Sequence, residues 1–335
     1  MDGLKEDKPA DVVTGARRAA PESGSGADAR PRTGADPAAE ALRVRLFGTA
    51  YRMLGSACEA EEIVGAQVAR LAAGDLGGKE GAEGDFGALL VREVLGEVVR
   101  RAEAALRGRR EAHAVAWLPE PVLTGGGVLG SLETPEARES VSMARLVVLE
   151  RLPPAERAAY VLREQFGYGP ADASVLLGLP EERCRSLLRR ARQRVRESES
   201  VGRTETGCEQ RRLAVEELLR AVLDEERAAV EVLLADDVVA WSDGGWEPGA
   251  VRRPILGAAK VGRFLTGLRA RAPEDTNGTV VEVNGDAAVV GTARDEVVGV
   301  LVPEFGERGI VGIRTVADPA RLAYLTRQWA ARTPC

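Results

Sequence analysis

The stretch LPEERCRSLLRRARQRVRE occupies residues 179–197 and sets seven arginines, from Arg183 to Arg196, against Glu181 and Glu182. A guanidinium donates through a rigid planar fork that fits two phosphate oxygens or the O6 and N7 edge of guanine. Arg183, Arg185, Arg189, Arg190, Arg192 and Arg194, with the hydroxyl of Ser186, are therefore candidate DNA-binding groups. The whole chain is acidic, at a formal net charge of -6, so concentrating cations on one element points to an anionic partner. A solubilising helix face is the plainer reading of such a run, but that kind of face usually mixes the two signs.

A second chemistry is open at Asp243 in SDGGW, where a carboxylate could act as general acid or base. Asp243 followed by Gly244 and Gly245 is equally what a turn needs, and a turn or docking loop is the reading adopted. Trp241 and Trp246 read as wall or core. The sole histidine, His113, falls in a linker, a poor place to hold a catalytic base, and Cys58, Cys184, Cys208 and Cys335 form no C-x-x-C pair. No catalytic residue, metal or cofactor is assigned.

The arginine run needs a helix to hold it, and the pattern supplies one. Cys184, Leu188, Ala191 and Val195 recur at four, three and four residues as the expected buried face. Pro180 opens the helix, and Gly178 ends the one before it, PADASVLLG, as the sharp turn of a helix-turn-helix requires. Another helix opens at Pro153-Pro154-Ala155-Glu156. Upstream, ALRVRLFGTAYRML and CEAEEIVGAQVARLAA read as two antiparallel helices broken at Gly55-Ser56. A third carries Phe86, Leu89, Leu90, Val94, Leu95, Val98 and Val99 on one stripe. Downstream, RRLAVEELLRAVLDEERAAVEVLLADD reads as one long amphipathic pattern and GAAKVGRFLTGL as a short helix. VVAWSDGG reads as a strand. TVVEVNG, AAVVGTAR, EVVGVLV and IVGIRTV follow as four strands with Asn-Gly or other Gly-containing turns.

The 335 residues, 44% hydrophobic, suffice for two or three cores. The expected organisation is a disordered arm at 1–38, a helical domain at 39–112, a Pro/Gly linker containing WLPEP at 113–139, a helix-turn-helix domain at 140–200 and an α+β cone at 208–330. The longest apolar runs fall far short of a membrane span, so a soluble, cytoplasmic protein is expected.

Several of these stretches resemble a known family. LRVRLFGTAYRMLGSACEAEEIVGAQVARLAA resembles the core-polymerase-binding helices of bacterial extracytoplasmic-function (ECF) sigma factors. RLPPAERAAYVLREQFGYGPADASVLLGLPEERCRSLLRRARQRV resembles their promoter-binding domain. WLPEP, VRRPILGAAKVGRFLTGL and ADPARLAYL are similar to the subgroup with a fused SnoaL-like, NTF2-like domain. The resemblance implies a multidomain fold: two all-α sigma domains and an NTF2-like cone. It further implies core RNA polymerase and promoter DNA as partners, with Glu61, Glu62, Ile63 and Arg70 at the polymerase contact. A small-molecule ligand in the C-terminal domain is a further candidate partner. The linker residues Trp117, Leu118, Pro119, Glu120 and Pro121 are expected to dock on loop-like segments formed by Asp243, Gly244 and Gly245 and by Asp318, Pro319 and Leu322, so that the C-terminal domain controls the sigma domains.

The chain departs from the family where it carries Gly65, Val68 and Leu71 in the second helix. It departs again between Leu89 and Arg110, which contain no Trp, Tyr, Phe or Asn to hold a flipped base. A third departure is Trp246 in place of the third glycine after Asp243. The alternatives are a sigma relative that binds DNA or polymerase without opening promoters, and an NTF2-like small-molecule binder or enzyme with a helical regulatory part.

Overall fold

The computed structural model describes residues 37–73, 86–111, 117–125, 127–130, 132, 134–198, 207–243 and 253–332. His113, Gly244, Gly245, Trp246 and Cys335 lie outside them. The N-terminal helical part comprises α1 (Pro37–Leu54), α2 (Ala57–Ala72) and α3 (Phe86–Glu111). The α1/α2 junction follows from two residues: Gly55 at φ +66 closes α1, and Ser56 accepts from the Glu59 amide as N-cap of α2. Helix α1 starts at Pro37, inside the stretch expected to be an arm, because Pro suits a first turn.

Next come α4 (Pro135–Val141) and α5 (Met143–Glu150), then α6 (Pro154–Phe166), α7 (Pro170–Leu177) and α8 (Glu181–Ser198). The expected linker therefore ends early: Thr134 caps α4 through its side chain, and Pro135 begins a helix. Nor is the linker a spacer. Leu118, Val122, Leu129 and Leu132 are buried.

The C-terminal part comprises α9 (Cys208–Leu223), α10 (Arg227–Leu233), β1 (Leu234–Ser242), β2 (Ile255–Leu256), α11 (Ala258–Arg271), β3 (Thr276–Val283), β4 (Asp286–Ala293), β5 (Glu296–Gly306), β6 (Gly309–Val316) and α12 (Pro319–Ala330). The sheet order is β2-β1-β6-β5-β4-β3, antiparallel except for β1 beside β6. This is the α+β cone, a bent sheet with helices laid over it. The long amphipathic pattern splits: Glu225 at φ +56 ends α9, and LADD belongs to β1. The β3/β4 hairpin turns at Asn284-Gly285, both at positive φ, as a two-residue hairpin demands. The β4/β5 turn does the same with Arg294 and Asp295, so the expected glycine is replaced by two strained residues.

Three buried clusters hold the structure together. One joins α1, α2, α3 and α5 to α8 and includes Tyr324 of α12. Another joins Leu118 and Met143 to Val283, Val290, Val300 and Val316 of the sheet and to Leu322 and Leu325 of α12. A third packs α9, α10 and α11 on β1 and β6. Helix α12 thus faces both the sheet and the N-terminal helices, whereas ADPARLAYL was expected to be loop-like. Asp318 is its N-cap, accepting from the Ala320 amide at 3.0 Å, and Pro319 fills its first turn.

Candidate nucleic-acid interface

Helix α8 packs on α6 and α7, with Cys184, Leu187, Ala191 and Val195 buried. Leu187, not Leu188, completes that face; Leu188 is only half-buried. The arginines divide into two groups. Arg190 Nε lies 2.9 Å from Glu156 Oε1, and Arg194 Nη1 lies 3.2 Å from Glu156 Oε2. Glu156, 4% exposed in the first turn of α6, cannot stay buried as an anion without them. Arg192 reaches Glu164 of the same helix at 3.4 Å. These three cations fasten α8 to α6, with 40 to 49% of each side chain still exposed. Arg183, Arg185 and Arg189 are exposed, and Ser186 is half-buried. Among the described residues Arg185 pairs only with Glu181 and Glu182 of its own first turn. Arg183 and Arg189 have no ion pair among the described residues. Among the described residues, the exposed α8 cations without an ion pair to another helix are thus Arg183, Arg185 and Arg189 in its N-terminal half and Arg196 near its end; the N-terminal half is the one that reaches base edges when such a helix lies in a major groove.

Spacing could not reveal the clamp on Glu156, because its partners are 34 and 38 residues away and meet it only once the helices pack. The same holds for Arg157, 3% exposed, which donates to the carbonyl oxygens of Met53, Glu150 and Leu152 and pairs with Glu150 at 3.0 Å. Arg52 is likewise buried, donating to Gly48 O and Ser140 Oγ, each at 2.8 Å. Burial lowers its guanidinium pKa to about 10.

Helix α2 places Glu61 and Glu62 on its surface but buries Ile63 to 2% exposure. Ile63 is a core residue, so it is withdrawn from any contact surface. Glu62 pairs with Arg101 of α3 at 2.9 Å. Arg70 donates to Gln67 and approaches Glu93 at 3.9 Å. Glu61 pairs at 2.6 Å with Arg327 of α12, whose Nη1 also lies 3.8 Å from Cys58 Sγ. One turn earlier on α12, Tyr324 stacks on Phe47 of α1 at 5.6 Å.

The WLPEP segment runs between these helices and the sheet. A Cβ at Gly55 would meet the Trp117 ring at 2.4 Å, so the indole sits against the α1/α2 turn. Leu118 faces the other way, into the cluster with Leu322, and its carbonyl accepts from Arg321. The Glu120 amide donates to Gly55 O, and its carboxylate accepts from Ser56 Oγ at 2.7 Å and from the Cys58 amide at 3.0 Å. Beyond Pro119 and Pro121, Gln328 of α12 pairs with both the amide and the carbonyl of Leu123. Asn284 closes the junction. Its side chain accepts from the Val122 amide and donates to Tyr51 Oη and Val141 O. Burial pushes the Tyr51 phenol well up, against the opposing effect of that Asn284 bond. Nothing in the sequence marked Asn284 beyond its turn; its partners converge only in three dimensions.

Asp243 anchors the backbone that follows β6. Its carboxylate accepts from the amides of Ala317 and Asp318 at 3.0 to 3.2 Å, fixing the passage from β6 into α12. Trp241 lies under Arg314, 4.4 Å from its ring.

Residues 146–195 match the family model for sigma-70 region 4. The chain is 32% identical over 229 residues to the ECF RNA polymerase sigma factor SigJ of Mycobacterium tuberculosis, covering 68% of this chain and 71% of that protein. The chain belongs to the ECF RNA polymerase sigma factors. It is also 27% identical over 293 residues to the probable ECF sigma factor SigI of the same organism, across 86% of this chain and 95% of that one. The crystal structure of SigJ aligns with a TM-score of 0.63 at 26% identity, over 86% of this chain and 98% of SigJ. The match extends through the sheet, so this ECF sigma factor is of the type with a fused C-terminal NTF2-like domain. Among the described residues no helix is long and apolar enough to cross a membrane.

Proposed function

We propose that this ECF sigma factor engages promoter DNA through Arg183, Arg185, Ser186 and Arg189, and core RNA polymerase through the surface that α1 and α2 present around Glu61, Glu62 and Arg70. The observation that carries the DNA reading is the division of the α8 arginines: those nearest its N-terminus make no ion pair with another helix among the described residues, while Arg190, Arg192 and Arg194 are tied to α6. Of the residues assigned to polymerase, Glu61 already pairs with Arg327 of α12, while Glu62 and Arg70 lie toward α3. Helix α12 and the docked linker therefore form a clasp on the sigma helices. The NTF2-like domain regulates by keeping or releasing that clasp. Contacts of this kind within a chain are modest in energy and can reorganise.

Acid–base catalysis is disfavoured by the position of Asp243. Its oxygens accept from two backbone amides, an anchoring role, and among the described residues it does not line the cavity between the sheet, α9 and α11 where a substrate would sit. A binding assay separates the readings. With duplexes selected from random sequence, the wild-type chain binds the selected duplex above a scrambled one, and Arg189→Ala loses that preference. Equal binding to both duplexes by the wild type, in anisotropy titrations at fixed salt, refutes the assignment of α8.

A further inference from the structure

The cone holds a half-open cavity of about 380 Å³ between the sheet and helices α9 and α11, within the range of about 300 to 1,000 Å³ found for small-molecule sites. Its walls are apolar, with Leu219 and Val222 from α9, Phe264 and Leu268 from α11, and Val289 and Leu301 from the sheet. The described lining contains no Asp, Glu or His, so it holds no group that could trade a proton near neutral pH.

Three polar atoms on this lining are buried and have no hydrogen-bond partner among the described residues: Arg269 Nε, Thr276 Oγ1 and Thr315 Oγ1. Thr315 is 7% exposed overall. Buried donors without partners are rare in folded proteins and costly. Arg269 is only partly buried, so this cost falls on its Nε. Arg269 and Arg271, at the end of α11, both line the cavity. The cavity therefore has greasy walls, cationic donors at one position and two hydroxyls that can donate or accept.

We propose that this cavity binds an apolar molecule bearing a carboxylate, with the carboxylate taken by Arg269 and steadied by the Thr276 hydroxyl, and with the apolar body against α9, α11 and the sheet. A carboxylate completes the guanidinium fork and removes the orphaned donor in one contact. The inference is independent of the sigma factor reading, because its test measures binding alone.

Decanoate, decanol and decylamine share one chain and differ in headgroup, so isothermal titration of each into the full chain isolates what Arg269 reads. Decanoate is expected to bind saturably at one site, decanol at least about tenfold more weakly, as loss of a charged hydrogen bond implies, and decylamine not at all. Arg269→Gln should bring decanoate down to the level of decanol. Val289→Phe, which fills the cavity, should remove both. No saturable decanoate binding overturns the proposal. So does decanoate binding that Arg269→Gln leaves unchanged, or that persists in a folded Val289→Phe chain. Where Val289→Phe fails to fold, the Arg269→Gln comparison decides.

Discussion

Arg189 and Arg190 are neighbours in sequence with opposite employment. Arg189 projects from α8 with no ion pair among the described residues, while Arg190 holds the buried carboxylate of Glu156 from 2.9 Å. Arg189→Ala is expected to leave the thermal midpoint of the protein unchanged and to cost roughly 1 to 3 kcal/mol of binding to the preferred duplex, with relaxed preference at one position. Arg190→Ala should do the reverse. It leaves Glu156 with one half-exposed partner, Arg194, so about 1 to 2 kcal/mol of stability should go, discounted from the fully buried case because both guanidinia reach solvent. Chemical denaturation and duplex anisotropy on the two variants check this; a stability loss in Arg189→Ala that equals that in Arg190→Ala would contradict the division. The run of seven arginines was legible as a basic helix from composition. Which arginines face outward was not, since that depends on where one glutamate of α6 ends up.

Elements show the same pattern of what spacing carries and what it leaves out. The helix-turn-helix was readable because Pro170, Gly178 and Pro180 punctuate it, and the β3/β4 hairpin because Asn284-Gly285 accepts positive φ. ADPARLAYL misled for a physical reason: its apolar residues serve two surfaces, Leu322 and Leu325 on the sheet cluster and Tyr324 on the helical one, so no single stripe emerges. The docking of α12 on α2 rests in part on Arg327 and Glu61, both about half exposed, a pair worth on the order of 1 kcal/mol or less. Arg327→Glu sets two carboxylates together and should open the clasp several-fold more often. Cys58 reports the opening. Burial is the main cause that raises its thiol pKa, the Glu120 charge adds to it and Arg327 opposes it, so exchanging that arginine for an anion would by itself slow alkylation. Faster reaction of Cys58 with iodoacetamide in Arg327→Glu, referenced to the exposed Cys208, therefore measures exposure. Unchanged or slower reaction shows that α12 stays docked without the pair.

Across the whole molecule, Asn284 is where the helical part, the linker and the sheet meet. It is fully buried at φ +54, with side-chain bonds to Val122, Tyr51 and Val141. Asn284→Ala strands a buried amide and a buried carbonyl at about 1 to 3 kcal/mol each and places alanine in a left-handed conformation that costs it about 1 kcal/mol more. Calorimetry should show one transition for the wild type and two for the variant, as the sheet and the sigma helices lose their shared junction. One transition at an unchanged midpoint would mean that the apolar cluster around Leu118 couples them alone. The central claim, that this chain directs polymerase to particular promoters through the free end of α8, has its most direct measurement in reconstituted transcription. Core RNA polymerase is incubated with the full chain and fragmented genomic DNA from the same source, and transcript 5′ ends are sequenced. The account predicts that the chain co-elutes with core enzyme and yields discrete start sites that Arg185→Ala and Arg189→Ala together abolish. A chain that does not bind core enzyme, or start sites indifferent to both substitutions, would contradict it.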